Sequence, residues 1–481
     1  MHRSPSVSRL ALARTLVSVL ACLLALPASA RAGEVPNADP WIGAMPSEGI
    51  EFAIELNPAA RVLDSRFVRW IAEQPDVAPS ASVLAESWAA LADALSYSTD
   101  EARARLLHSR LMLIAGDQGW AVRVDLEPDA AARIRQRLRP VPRKRILNRP
   151  VVSFDRGALQ AVLLVEPGED RSLSLVISPP EHDALLETMI RAAEVPGEPA
   201  ISGTRGWAET ARLADAEEAG DAATVRVWWT AEGRQLSIIT HLDDERAWAG
   251  ASFEPTPRVV RPDPHAGFEA SLLRTLDSPR AAMIVLADRA VLESDDTISP
   301  LLGPLSEVAD EGHRKMAVVV RENVRCEALS GIGDAATLDE MMARVAPNAG
   351  RSQLAGRFPN ATRSVPLPGE GQDLTWRWSG GWALASVGPS KEPLVDLALI
   401  HPAATPADGA VNLDEPGPIA FALVLRPELA GTDPAWADRF AGVIREATVI
   451  ATRRPDHGDR RGLLVLEARV RFEQAEEPAQ R

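Results

Sequence analysis

Apolar and polar positions alternate with a period of two along much of this chain, in short runs separated by turn residues. LMLIAGDQGWAVRVDL (Leu111 to Leu126) alternates on both sides of Gly116-Asp117-Gln118-Gly119, the pattern of a β-hairpin closed by a tight turn. ALQAVLLVEPGEDRSLSLVIS (Ala158 to Ser178) predicts a second hairpin at Pro167-Gly168. TVRVWWTAEGRQLSIITHL (Thr224 to Leu242) predicts a third at Glu232-Gly233. TWRWSGGWALASV (Thr375 to Val387) turns at Gly380-Gly381, and EATVIATRR pairs with RGLLVLEARVRF around Pro455-Asp456-His457-Gly458. A two-residue turn at Gly380-Gly381 sets Ser379 opposite Trp382, Trp378 opposite Ala383 and Trp376 opposite Ala385.

A helical period appears in fewer places. Three segments open with Asp-Ala, at Asp129-Ala130, Asp183-Ala184 and Asp334-Ala335, where the carboxylate accepts the orphan N–H groups of a first turn. SRFVRWIAEQ and VLAESWAALADAL carry the same period. EFAIELNPAARVLD (Glu51 to Asp64) aligns without gaps on AFALVLRPELAGTD (Ala420 to Asp433), with AAMIVLADRAVL (Ala281 to Leu292) as a looser third copy. Either a duplicated module or the general likeness of apolar strands accounts for this. The expected class is therefore α+β: mainly antiparallel sheets built from hairpins, with helices on one face and a duplicated strand-helix-hairpin-helix module as one reading. The expected organisation is a leader at 1–32, α+β modules at 33–205 and 224–348, a Gly/Pro/Ser-rich loop at 349–373, a hairpin-rich module at 374–472 and a tail at 473–481. Glu209 to Ala223, acidic and alanine-rich, reads as a linker or a solvated helix.

The first residues change this picture by giving a destination. Arg3, Arg9 and Arg14 precede the apolar stretch Thr15 to Leu26, and PASARAGE offers small residues for cutting after Ala30 or Ala32. This is the layout of a secretory signal peptide, and it is too short to span a bilayer, which takes ~20 residues. The expectation is a cleaved, exported, periplasmic or surface-associated protein. The alternative is a lipid anchor at Cys22, in a loose lipobox. Cleavage after Ala32 removes four arginines and takes the formal charge from −15 to −19. Such a balance repels nucleic acid and anionic surfaces. Cys326 is then the only cysteine, which excludes an intrachain disulfide, and it reads as a buried structural thiol. No second stretch of spanning length follows, so an integral membrane protein is not expected.

Candidate chemistry is sparse. Gly331-Ile332-Gly333-Asp334-Ala335-Ala336 sits where a dinucleotide fingerprint belongs, but Asp334 repels a pyrophosphate and the third glycine is alanine, so a capped strand-to-helix turn is the better reading. His241, Asp243, Asp244 and Glu245 offer metal-ligand types without a ligand spacing, as do Asp295-Asp296. Asp263-Pro264-His265 and Asp456-His457 place carboxylates beside imidazoles, with no nucleophile motif. RIRQRLRPVPRKRILNR (Arg133 to Arg149) holds eight cations and no acid; it reads as a solvated helix face running into a basic linker, or as an anion site at Arg133, Arg137, Arg143, Lys144 and Arg145. Trp376 and Trp378 share a face with two alanines, and Trp228 shares a mixed face with Arg226, Thr230 and Ser237, opposite a clean core face of Val225, Val227, Trp229, Leu236 and Ile238. Exposed indoles there would stack sugar rings; buried ones are core.

The resulting expectation is a non-catalytic binding or scaffolding protein of the envelope, with a glycan or an envelope protein as partner and no cofactor or metal. The alternatives are an exported hydrolase with a dispersed site, using His265 or His457 as base, and a lipoprotein carrying apolar cargo.

Overall fold

The structure is a computed structural model. It describes residues 40–65, 110–117, 119–126, 139–154, 159–165, 173–196, 198–217, 222–231, 234–254, 273, 276, 281–288, 315–321, 324–330, 332–345, 361–367, 371–379, 382–389, 419–430, 440, 442–454 and 463–473. The chain forms two compact units, 1–256 and 257–481.

Unit 1 is built on strands β1 (Phe52–Asn57), β2 (Leu111–Gly116), β3 (Gly119–Leu126), β4 (Arg139–Ile146), β5 (Arg149–Phe154), β6 (Leu159–Val165), β7 (Leu173–Ser178), β8 (Ala223–Ala231), β9 (Arg234–Leu242) and β10 (Arg246–Glu254). Every pairing is antiparallel, in the spatial order β4-β5-β6-β7-β3-β2-β1-β8-β9-β10. Among the described residues five short helical pieces accompany them: α1 (Trp41–Ala44), α2 (Ala59–Asp64), α3 (Asp183–Glu194), a 3-10 turn (Ile201–Gly203) and α4 (Arg205–Ala216). Leu185, Leu186, Met189 and Ile190 recur with the helical period and are buried, so α3 lays one apolar stripe against Ala53, Met112, Ile114, Val162 and Val176 of the sheet. Burying each such side chain stabilises by about 1.5–3 kcal/mol.

Unit 2 follows with β11 (Ala281–Asp288), β12 (Lys315–Arg321), β13 (Val324–Ser330), α5 (Ala335–Val345), β14 (Arg363–Pro366), β15 (Asp373–Ser379), β16 (Trp382–Gly388), β17 (Ile419–Leu425), β18 (Ile444–Arg454) and β19 (Leu463–Phe472). Its order is β14-β15-β16-β13-β12-β11-β17-β18-β19, again antiparallel throughout. The two sheets follow the same path. In each, the first strand is central, the next hairpin lies on one side of it, a later strand returns beside that hairpin, and a closing three-strand meander lies on the other side.

The α+β expectation is corrected. Among the described residues strand accounts for 59% and helix for 23%, and antiparallel sheet sets the architecture there, with helices as local covers rather than a layer. The physical reason is length. The longest described helices carry stripes of about three turns, whereas the period-two runs pair into ladders, most of them with a partner on either side. Of the three Asp-Ala segments, those at Asp183 and Asp334 open helices, while Asp129 lies outside the described residues, as do SRFVRWIAEQ after its Ser65 and VLAESWAALADAL. Glu209 to Ala216 is helical, inside α4. The alignment of Glu51 to Asp64 on Ala420 to Asp433 is also corrected. Phe52 lies on a central strand, but Phe421 lies on β17, which takes the outer place that β8 takes in unit 1; the positional counterpart of β1 is β11. The strands at 223–254 belong with unit 1, where β8 pairs with β1.

The basic run also folds otherwise than expected. Arg139–Ile146 is β4, joined to β5 through Leu147 and Asn148, whose φ angles of 50° and 62° are those of a two-residue hairpin turn with both centres left-handed. Among the described residues β4 pairs only with β5. Pro140 and Pro142 are tolerated on such a strand because an outer edge needs no N–H donors.

Candidate functional site

The ladders of unit 1 align one cross-strand row. Val176, Arg123, Met112, Glu55, Arg226 and Ile239 stand opposite one another on β7, β3, β2, β1, β8 and β9. Paired residues project to the same face, so this row sets three charges in the sheet centre. Arg110, two residues before Met112, and Asp125, two residues after Arg123, share that face.

Glu55 is fully buried and Arg123 is 2% exposed. Glu55 Oε1 accepts from Arg110 Nε at 2.8 Å and from Arg226 Nη1 at 3.3 Å, and Oε2 accepts the backbone N–H of Ile42 at 2.9 Å. Arg123 Nε donates to Ser174 Oγ at 3.2 Å. The Trp41 ring meets the guanidinium carbons of Arg110 and Arg123 at 4.4 and 3.8 Å from its centroid, within cation–π range. The Asp125 N–H donates to Arg110 O at 3.0 Å, while its buried Oδ1 has no hydrogen-bond partner. Burial pushes the Asp125 carboxyl up to about 6, against the opposing pull of Arg123 and Arg110. Burial also brings Arg123 down to about 10 and lowers Arg226. Three cations and two carboxylates thus share a desolvated layer, in which removal of Glu55 would take from Arg110 and Arg226 the carboxylate they share.

A second row runs beside it. Thr224 pairs with His241 and His241 with Trp248. The imidazole stacks on Trp248 at 5.2 Å, and Thr224 Oγ1 lies 3.3 Å from Nδ1. Burial, then the Arg226 charge, brings His241 down to about 4, which keeps it neutral. Above the meander, Thr210 of α4 reaches Ser252 Oγ at 3.0 Å, and the α4 backbone at Gly206 accepts from Ser252 at 2.7 Å. Gly206 permits that approach, since a Cβ there would sit 2.9 Å from Ser252 Oγ.

The tryptophans proposed as a platform are core. The pairings Ser379–Trp382, Trp378–Ala383 and Trp376–Ala385 occur as the turn dictates, but α5 covers that face. Trp376 is 4% exposed and its Nε1–H donates to Asp339 Oδ1 at 2.9 Å; half-buried Trp378 donates to Ile332 O at 2.9 Å. Trp228 is 2% exposed, and its Nε1–H has no partner. The mixed face of the Trp228 hairpin is thus the covered one, and Val225, Val227, Trp229, Leu236 and Ile238 opposite are half-buried. Sequence polarity misled here because Arg226 is neutralised inside the core by Glu55.

Of the cationic candidates, Lys144 pairs with Asp183 at 2.9 Å and Arg145 is exposed. Arg143 lies on β4, and Arg133 and Arg137 lie outside the described residues, so no joint anion site is seen among those described. Asp243 closes the β9–β10 turn, its Oδ1 accepting the N–H groups of Glu245 and Arg246 at 2.9 and 2.7 Å. Among the described residues no group of three His, Cys, Asp or Glu side chains is placed to hold a metal. Asp334 Oδ1 accepts the Thr337 N–H at 2.8 Å, a helix cap. Cys326 is buried. His265, His457, Asp295, Asp296 and Cys22 lie outside the described residues. No helix among the described residues is long and apolar enough to cross a membrane, which says nothing of a β-barrel.

The charge row went unread in the sequence, although a signal exists. FAIELN, WAVRVDL and TVRVWW each carry a charge inside an apolar run, and only the register shows that these converge.

No protein-family model matches the chain, and no curated protein does. Among solved structures, the one described as "Structure of crystal form III of TP0453" is similar at 8% identity, over 47% of this chain and 83% of that one, with a TM-score of 0.27. A likeness of that size carries no argument about fold or function.

Proposed function

We propose that the protein is exported to the cell envelope and serves there by binding or scaffolding rather than by catalysis. The leader-like start supports export. The observation that carries the rest is the inward turn of the groups suited to chemistry. Glu55, Arg110, Arg123 and Arg226 are committed to one another and to the chain in the core of unit 1, and in unit 2 Trp376 is committed to Asp339 of α5 and Trp378 to the Ile332 carbonyl ahead of it. Groups so committed hold a sheet in shape; a hydrolytic centre instead presents its base and nucleophile to a cleft.

The test is thermal unfolding of residues 33–481 against cell-wall and polysaccharide fragments, lipids, phosphates and divalent metals, run beside turnover assays on ester, phosphate, glycoside and peptide substrates. A ligand at a hundred times its Kd adds about 2.7 kcal/mol. Stabilisation by a panel member without turnover is the expected result. Turnover that His265→Ala or His457→Ala abolishes contradicts the proposal.

A further inference from the structure

The two sheets can be compared residue by residue by counting outward from their equivalent hairpin turns, closed by Gly116–Gly119 in unit 1 and by Arg321–Val324 in unit 2. The count sets Glu55, Arg123, Asp125 and Arg226 against Leu286, Ala328, Ser330 and Ala422, and it sets Trp120 against Arg325. In unit 2 the neighbouring strand follows β13 up to the turn, with Val387 of β16 opposite Arg325. In unit 1 the neighbour falls short. The β3–β7 ladder ends at Val122–Ile177, and β7 stops at Ser178, where Pro179 and Pro180 follow. Hydrogen-bonded and open pairs alternate along an antiparallel ladder. With Gly116–Gly119 closing the turn, the Trp120 N–H therefore points away from β2, to the side that β7 has left.

His182 meets that donor. Its Nδ1 accepts the Trp120 N–H at 3.2 Å, and its ring stands edge-on to the Trp120 indole, at 72° and 6.3 Å between centroids. A Cβ at Gly119 would lie 2.3 Å from the imidazole, so the ring rests on bare backbone there. His182 is also where α3 begins. Its carbonyl accepts the Leu186 N–H at 3.2 Å, while its side chain caps nothing in the helix itself. We propose that His182 is a proton-released latch between the start of α3 and the β2–β3 turn, closed by the neutral imidazole and opened by the imidazolium. An imidazolium carries a proton on both ring nitrogens and has no acceptor left for a backbone N–H. It also sets a positive charge at a helix N-terminus, which the helix dipole disfavours. The charged residues of the elements that meet here are Glu181 and Asp183 on either side of His182, Lys144 of β4, Asp117 in the turn, and Glu48 and Glu51 on the chain that packs against Gly116. Asp183 is engaged by Lys144 at 2.9 Å and by Gln160. The sign follows by linkage: a contact that needs a neutral imidazole is tight at alkaline pH and weakens as acid supplies the proton.

The experiment labels the tryptophans of the full chain with nitrogen-15 and follows the Trp120 backbone amide, assigned by its loss in Trp120→Phe, at pH 8 and pH 5. Its protection against hydrogen exchange, corrected for the intrinsic pH dependence of exchange, is expected to fall about five- to tenfold on acidification, the worth of one hydrogen bond. The amides of Trp228 and Trp229 in β8 carry the same label and are expected to keep their protection, which shows that the sheet stays folded. His182→Asn, whose side-chain oxygen accepts at either pH, is expected to hold the pH 8 level at both. His182→Ala, which has no acceptor, is expected to show the low level at both. A Trp120 amide that ignores pH in the wild type, one that keeps the wild-type dependence in His182→Asn, or full protection in His182→Ala overturns the latch.

Discussion

At the scale of single residues, two buried titrating groups act in opposite senses over one pH window. Asp125 sits at about 6 instead of 3.8, so the folded state holds its proton more tightly and loses stability as pH rises from about 4 to 6. His241 sits at about 4 instead of 6.5, so the unfolded state holds its proton more tightly and stability is lost as pH falls from about 6.5 to 4. In the wild type these slopes offset. Asp125→Asn is expected to expose the acid-side loss due to His241, and His241→Gln to expose a gain on acidification. Urea midpoints between pH 4 and 7 read both, and two variants that share the wild-type slope would refute the assignment. Each group is also an example of what sequence conceals. His241 was legible as a polar residue closing a hairpin, but its stacking on Trp248 depends on β10 lying beside β9, a pairing that no local pattern specifies.

At the scale of elements, hairpins were legible because period-two alternation and a two-residue turn together fix register. The Trp376 hairpin is the clearest case, and its pairs occur where the glycines put them. What lies over a hairpin was not legible. The indole of Trp376 is capped by α5, whose Asp339 accepts from it and pairs with Arg363 Nε at 3.0 Å, and that of Trp378 is held by the Ile332 carbonyl just ahead of α5. Asp339→Ala would strand a buried indole N–H and a buried guanidinium, and a loss of about 1–3 kcal/mol is expected from denaturant unfolding of unit 2. A midpoint equal to the wild type would place the anchoring of α5 elsewhere. The β4–β5 hairpin was missed for the opposite reason. Prolines and a dense run of cations look like a break and a linker, yet on an outer strand both are tolerated, and cations blunt an exposed edge.

At the scale of the whole molecule, two sheets of one path solve the same packing problem with different chemistry in their central rows. Strand order was out of reach of the sequence because β1 and β8, or β11 and β17, pair across long separations, and apolar strands resemble one another. That likeness aligned Glu51 with Ala420 although the strands they open take different places in their sheets. The central claim is that the charged groups in the row of unit 1 are committed to one another in the core rather than presented for chemistry. The most direct test replaces Glu55, Arg123, Asp125 and Arg226 by the residues at the equivalent places of unit 2, as Glu55→Leu, Arg123→Ala, Asp125→Ser and Arg226→Ala, adds Arg110→Leu, and compares urea unfolding with the single variant Glu55→Gln. Removing one partner strands buried cations and costs about 3–5 kcal/mol, whereas replacing a buried ionic set by apolar side chains is often neutral or stabilising. The account predicts that the five-residue exchange unfolds cooperatively and is more stable than Glu55→Gln. An exchange variant less stable than that single substitution would contradict it, because the other charges would then not depend on Glu55.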